Sequence, residues 1–345
     1  MLTSSRAGTD LLPSTPRRPL ASATLLAVVL SASLVAVVLL SLAVGSRLVP
    51  IEEVWSALTT GGDGPAAIIV RELRIPRTAT AVMVGAALGV AGLLMQASTR
   101  NPLADPGLLG VNAGASAAVV VAIAFLGIGT ASGYVWFAFL GAAGAAALVH
   151  LVGRARSRDD AVGVVLAGIA LTACLGAFVG IVTLLDEDTF ESYRFWVVGS
   201  FERRDLDVTG QLMPFVIAGL VVAALVAPGL NQLALGDDTA RALGVRPVAV
   251  TLGTGVAVTL LCGAATAAAG PLSFIGLLVA HAVRRVAGPD LRLTLPLSVL
   301  AGAVLTVSSD VVGRFITYPG EVEAGIVAAF LGAPVLLWLV MRRMR

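Results

Sequence analysis

The sequence predicts an all-α, polytopic integral membrane protein with ten membrane-spanning helices, and three observations lead there. Hydrophobic residues fill 57% of the 345 positions and charged residues only 13%, against about 25% charged in a soluble domain. The apolar residues fall into ten runs, most of them long enough to cross a hydrocarbon core of roughly 30 Å at about 1.5 Å per helical residue. Arginines crowd the alternate connections between those runs, as positive charge does on the cytoplasmic side of a membrane. A soluble fold cannot hide so much apolar surface. Surface that faces lipid needs no hiding, provided each helix satisfies its own backbone.

Residues 1–22 are polar and carry Arg6, Arg17 and Arg18; they read as a disordered cytoplasmic tail, leaving 23–345 as one transmembrane domain. The first apolar run, 23–45, is longer than the core of a cleaved signal peptide and reads as a retained helix. Its removal would leave an odd number of spans. The second run, 75–97, follows an arginine pair flanking Pro76. The others are placed at 107–127, 133–152, 161–185, 211–229, 248–268, 271–287, 293–314 and 322–341, the eighth being short. With the N-terminus inside, fifteen of the 23 arginines lie in cytoplasmic segments, while Glu52, Glu53, Glu187, Glu202, Glu321 and Glu323 lie outside. Ten crossings return Arg342, Arg343 and Arg345 to the cytoplasm. The pairs Gly85/Gly89, Gly110/Gly114 and Gly176/Gly180 have the four-residue spacing that lets helix backbones approach closely.

Several function classes drop out. The chain has no lysine, so it has neither the lysine of a phosphate-binding P-loop nor the amine of a Schiff-base enzyme; if transport here is driven by ATP, another chain must bind it. Cys174 and Cys262 lie in apolar runs and read as small buried side chains, with no disulfide framework and no metal cluster. His150 and His281 stand apart and supply no catalytic constellation. The formal net charge of +2, without a basic patch, gives nucleic acid nothing to bind. An ion-coupled secondary transporter of a small metabolite remains the alternative reading. It would need ionisable groups within the spans, and none has a carboxylate near its middle; no inverted repeat is evident either.

Five segments carry more information than their surroundings. In 228–247, Pro228–Gly229 breaks the sixth span and Asn231 starts a single helical turn that Gly236 stops. Asp237 then caps a second short helix, Asp238 favours its N-terminal dipole, and Gly244 suits the left-handed position after its end. The result is a compact wedge on the cytoplasmic face. Arg74 and Arg77 sit at the exterior mouth of the second span and Arg314 ends the ninth; arginines so placed commonly anchor in headgroups. Asp310, one turn before Arg314, is placed to pair with it. Segment 101–107 is a turn that two prolines stiffen, with Gly107 opening the next helix. Segment 186–207 is exterior and mixed in charge, and Leu331–Gly332–Ala333–Pro334 lies within the tenth span.

Together, Arg74–Ile75–Pro76–Arg77, Asn101–Pro102–Leu103–Ala104–Asp105–Pro106–Gly107, segment 236–245, Phe274–Ile275–Gly276–Leu277 through His281, and Leu331–Gly332–Ala333–Pro334 resemble the FecCD family. These are the permeases of iron-siderophore, haem and vitamin B12 ABC importers, and the likeness runs from about residue 48 to the C-terminus. It implies a type II ABC importer permease fold in the bacterial cytoplasmic membrane, with lipid around it and a second copy, or a close paralogue, enclosing the path. It also implies a ferric siderophore, or a related iron, haem or corrinoid chelate, delivered by an extracytoplasmic substrate-binding protein. Two cytoplasmic ATPase subunits would hold the ATP and Mg; this chain would bind no cofactor and catalyse nothing.

The resemblance also assigns roles. It implies that Arg74, Arg77 and Arg314 meet glutamates on the two lobes of the binding protein, a task suited to a planar fork that grips carboxylates bidentately. Gly236, Asp237, Asp238, Ala240, Arg241, Leu243 and Gly244 would form the loop that fits a cleft on the ATPase. Asn101 and Leu103 would border the inner gate, and 195–200 would form a short helix dipping into the vestibule. Where the family usually has proline before the histidine, this chain has Ala280, which leaves His281 on an unbroken helix, with no chemistry assigned to it.

Overall fold

The computed structural model describes residues 20–45, 48–59, 64–156, 161–202, 204–317 and 320–343. Most of the expected tail, 1–19, lies outside them. The described chain is all-helical, in the order α1 (Leu20–Ala43), α2 (Ile51–Thr59), α3 (Pro65–Ile68), a π-helical turn (Ile69–Arg74), α4 (Ile75–Thr99), a 3₁₀ turn (Pro106–Leu109), α5 (Val111–Leu126), α6 (Ala131–Arg156) and α7 (Ala161–Leu185). It continues through α8 (Glu187–Val197), α9 (Leu206–Leu233), α10 (Asp237–Ala242), α11 (Pro247–Ala269), α12 (Ile275–Ala287), α13 (Leu291–Ile316) and α14 (Ala324–Arg343). Among the described residues, seven helical stretches are long and apolar enough to cross a membrane. The shorter helices α5, α12 and α14 stand where the other three expected spans were placed.

Helix α4 is the axis of the fold. In the apolar stretch that contains it, 89% of the residues of an 18-residue window are buried, against 11% in those of α1 and α7. Helices α9, α11, α12 and α13 pack around α4, while α5, α6 and α7 form a second group joined to it through α11. The reason is side-chain size. Gly85 meets Gly302 of α13, and Gly92 meets Gly276 of α12, backbone against backbone, the approach that drives helix association where lipid is as apolar as the protein. Gly114 meets Gly141 of α6 in the same way. The Gly176/Gly180 pair behaves differently, since a Cβ at either site has nothing within 4 Å. Both lie on α7, as does Cys174, which is exposed rather than buried; only Cys262 fits the buried reading.

Four local expectations give way. Pro228 does not break the sixth span, for α9 runs through both Pro214 and Pro228 to Leu233; membrane helices tolerate proline when neighbours and local adjustments re-satisfy the backbone. Gly107 does not open α5. It sits in the 3₁₀ turn, its N–H donates to Asp105 Oδ1 at 2.8 Å, and Gly110, at φ 72°, precedes the helix. The exterior helix of 186–207 spans 187–197 and ends where 195–200 was expected to begin one. The eighth span starts at Ile275 rather than 271, because 270–274 is non-helical and Phe274 has φ 68°. The Phe274 ring lies against Gly332 of α14, so two of the segments singled out in the sequence are one contact. Helix α12 then passes unbroken through Ala280 and His281.

Candidate functional site

The C-terminal end of α1 accounts for two of the three arginines, Arg74 and Arg314. A helix leaves its last four carbonyls without partners, and here each finds one. Leu40 O accepts from Val44 N at 2.8 Å and Ala43 O from Val49 N at 3.1 Å. Ser41 O accepts from Arg314 Nη1 at 2.9 Å, and Leu42 O from Arg74 Nη1 at 2.6 Å. Arg314 Nη1 also donates to Val44 O at 2.8 Å. Cations at a helix C-terminus meet the negative end of its dipole as well.

A carboxylate holds Arg77 and Arg314 together. Asp310 Oδ1 accepts from Arg77 Nη2 at 2.8 Å and from Arg77 Nε at 3.1 Å, while its Oδ2 accepts from Arg314 Nη2. Arg77 Nη1 reaches Glu321 Oε2 at 2.6 Å, and Arg314 Nη2 donates to Ser41 Oγ at 2.8 Å, itself 2.7 Å from Thr78 Oγ1. The expected pairing of Asp310 with Arg314 is therefore present, inside a network that joins α1, α4, α13 and the segment before α14. Arg74, Arg77 and Arg314 are 5%, 8% and 1% exposed. Glu321, at 23%, is the part of the network nearest solvent. Beside it, burial pushes the Glu323 carboxyl above the usual range, Ser200 opposes the shift, and Glu202 and Glu321 add to it.

The wedge expected of 228–247 is present with a changed internal logic. Asp237 is the first residue of α10 and not its cap; Gly236 holds that position at φ 105°, with no side-chain cap. The Asp237 carboxylate instead takes a hydrogen bond from Arg100 at 2.5 Å. Asp238 stands in the first turn, where the helix dipole favours an acid, and pairs with Arg241 at 3.0 Å on the open surface. Gly244 has the left-handed backbone expected of it, φ 83°. Ala240 is fully buried and its carbonyl accepts from Val245 N at 2.9 Å, which folds the end of α10 back toward α11. Leu243 is 57% exposed, with Leu235 and Val248 also exposed. Exposed apolar side chains beside a charged rim suit a protein partner.

Segment 101–107 is a rigid, self-bonded turn. Asn101 Oδ1 accepts from Leu103 N at 3.0 Å, and Asn101 O accepts from Ala104 N at 3.1 Å. Asn101 is exposed and Leu103 half-buried. Farther in, Asn112 of α5 accepts from Thr266 Oγ1 at 3.0 Å. Among the described residues no group of three His, Cys, Asp or Glu side chains is arranged to hold a metal. Sequence reasoning passed over Arg100 and Glu321. Arg100 was visible only as one more cytoplasmic arginine, and its one distinguishing mark was its place directly before Asn101–Pro102.

Residues 33–342 match the FecCD transport family. The chain is 43% identical over 308 residues to the ferric enterobactin transport system permease protein FepD of Escherichia coli (strain K12), covering 89% of this chain and 92% of that protein. It is 40% identical to the Fe(3+) dicitrate transport system permease protein FecC of the same organism, over 80% of this chain and 83% of that one. Identity to the hemin transport system permease protein HmuU of Yersinia pestis is 34%, over 79% and 82%. A solved structure of a metal-chelate type ABC transporter in an inward-facing conformation superposes with a TM-score of 0.79 at 26% identity, covering 92% of this chain and 99% of that one.

Proposed function

Because the chain belongs to the FecCD transport family, we infer that it is the membrane-spanning permease subunit of an ABC importer that passes a ferric siderophore, or a related iron, haem or corrinoid chelate, across the cytoplasmic membrane. The observation that carries this reading is the 43% identity to a ferric enterobactin permease along nearly the whole length of both chains. The rival, an ion-coupled transporter, needs a titratable relay within the spans. Asp310, the acid buried in a span, lies toward the exterior end of α13 with both oxygens held by arginines.

In this reading, chelate arrives on a substrate-binding protein, passes between this chain and a second copy or paralogue, and leaves when two ATPase subunits carrying ATP and Mg reset the gates. Helix α7 suits the second copy: its Gly176 and Gly180 face open space at a spacing that admits another helix. Arg77 suits the binding protein, because a glutamate arriving from outside can replace Glu321, the most exposed member of its network, while Asp310 keeps Arg77 in place. Arg74 and Arg314 would then support the docking surface from beneath. Asn101 and Leu103 border the inner gate, and 236–244 engages the ATPase.

Reconstitution tests the reading. Proteoliposomes holding this chain, its ATPase subunits and its binding protein should accumulate labelled ferric siderophore, haem or cobalamin with ATP, and the purified chain alone should hydrolyse none. Uptake that persists without ATP but follows an ion gradient would favour the rival. Within the same assay, Gly244→Val is expected to leave ATP hydrolysis running while chelate uptake falls several-fold. No atom crowds a Cβ at Gly244, so the cost comes from the left-handed backbone, about 1–2 kcal/mol for a residue with a Cβ and more for a branched one. That strain reorients the tip carrying Leu243. Uptake per ATP equal to wild type would refute the wedge.

A further inference from the structure

We propose that Arg100 is the positioning residue that makes helix α10 and the 101–107 turn move as one body, so that a displacement of α10 reaches the inner end of the path directly. The inference rests on the permease reading and adds a residue and a route to it. Arg100 closes α4 in the left-handed region, at φ 51°, where non-glycine residues are uncommon. One nitrogen, Nη2, donates both to Leu233 O, at the end of α9, at 2.7 Å and to Asp237 Oδ1, at the start of α10, at 2.5 Å. It therefore spans the α9–α10 turn. The next peptide bond leads into Asn101, whose side chain and carbonyl lock the turn up to Ala104. Asp105 then holds Gly107 N. On the other side α10 is seated by the buried Ala240. Two stiff pieces are thus joined by one ionic contact.

A structural role and a coupling role predict different outcomes. The pair is about half exposed, 54% and 44% for the two side chains, and an exposed pair adds little to stability. Its loss should leave thermal unfolding of the chain near wild type while weakening transmission. A link between two moving parts is a coupling quantity, and such couplings commonly amount to fivefold or more.

The experiment uses the assembled importer in proteoliposomes, with whichever of labelled ferric enterobactin, haem and cobalamin the wild type accumulates as the probe. Arg100→Gln and Asp237→Asn are each expected to lower chelate accumulated per ATP hydrolysed by about fivefold or more, with an unfolding temperature like that of wild type. The reversed pair, Arg100→Asp with Asp237→Arg, should regain at least about half of the lost coupling, and aspartate tolerates the left-handed backbone at 100 better than most residues. Restoration is not expected if Asp237 acts only by touching the ATPase. Single variants that couple like wild type, or a folded reversed pair as uncoupled as the singles, would overturn the proposal. A second test does not depend on the charges. With Cys174→Ala, Arg100→Cys and Asp237→Cys joined by a short bifunctional thiol reagent should still transport, whereas a cross-link that stops uptake shows that the two parts separate during the cycle and overturns it. Failure of the permease reading is recognised separately: wild type itself would then show no ATP-driven uptake, and this proposal would fall with it.

Discussion

Asp310→Asn is expected to lose about 3–5 kcal/mol of stability, the typical cost of breaking a buried ion pair from one side, and to abolish recovery of folded permease from the membrane. The carboxylate is 1% exposed and lies between two guanidiniums that are themselves buried. Burying a charge is costly unless it is paired and hydrogen-bonded. Asparagine has nearly the same shape, yet it removes the negative charge and offers two N–H donors to cations that can only donate. Arg77 would retain Glu321 and Arg314 would retain the carbonyls of Ser41 and Val44, but like charges would then face each other across the vacated site. The damage should spread to α1, because Arg314 supplies the partner of Ser41 O in its last turn. Thermal unfolding in detergent and the yield of folded chain measure the effect. Replacing Asp310 and Arg314 together, by Leu and Met, should cost less than Asp310→Asn alone, since it removes one of the stranded cations. A double replacement as damaging as the two single changes combined would show that the two residues do not act as a pair.

The sequence made most of this architecture legible because a membrane imposes a simple rule: a span must be long, apolar and helical. Every expected span therefore corresponds to a helix, and the least accurate boundaries are those where the backbone leaves the helix while still among other helices. Residues 270–274 contain Pro271 but no charge, so an apolar count takes them for helix; Phe274 adopts its left-handed backbone because Gly332, on another helix, makes room for its ring. No local pattern contains that fact. The Asp310–Arg314 pair was legible because both residues lie on one helix a turn apart. The involvement of Arg77, Glu321 and the carbonyls of α1 was not, since it joins residues more than two hundred positions apart. Asp237 shows the same limit from the other side. By local rules it should cap α10, but a cation at the end of α4 claims its carboxylate instead.

Gly85→Val should be nearly as damaging as the loss of Asp310, and comparison with Gly176 isolates the cause. Both glycines belong to pairs with four-residue spacing in apolar helices, and no rule of composition separates them. At Gly85 a Cβ would lie 2.3 Å from Gly302 O and 2.6 Å from Thr306 Oγ1. A carbonyl in the middle of α13 cannot swing aside as a flexible side chain does, so the two helices must part. The expected cost is about 3 kcal/mol or more, at or beyond the upper end of ordinary overpacking, because α4 is the axis on which most of the fold is assembled. At Gly176 the same Cβ meets nothing. Gly176→Ala should leave the chain's own stability unchanged or raise it, by up to about 1 kcal/mol, through helix propensity. Thermal unfolding of the isolated chain in detergent decides between contact and mere composition. Equal losses at both sites would mean that α7 packs within its own chain as tightly as α4 does. A loss at Gly85 alone, with Gly176→Val lowering only the dimer population, would place the first pair in the core of one chain and the second at the seam between two.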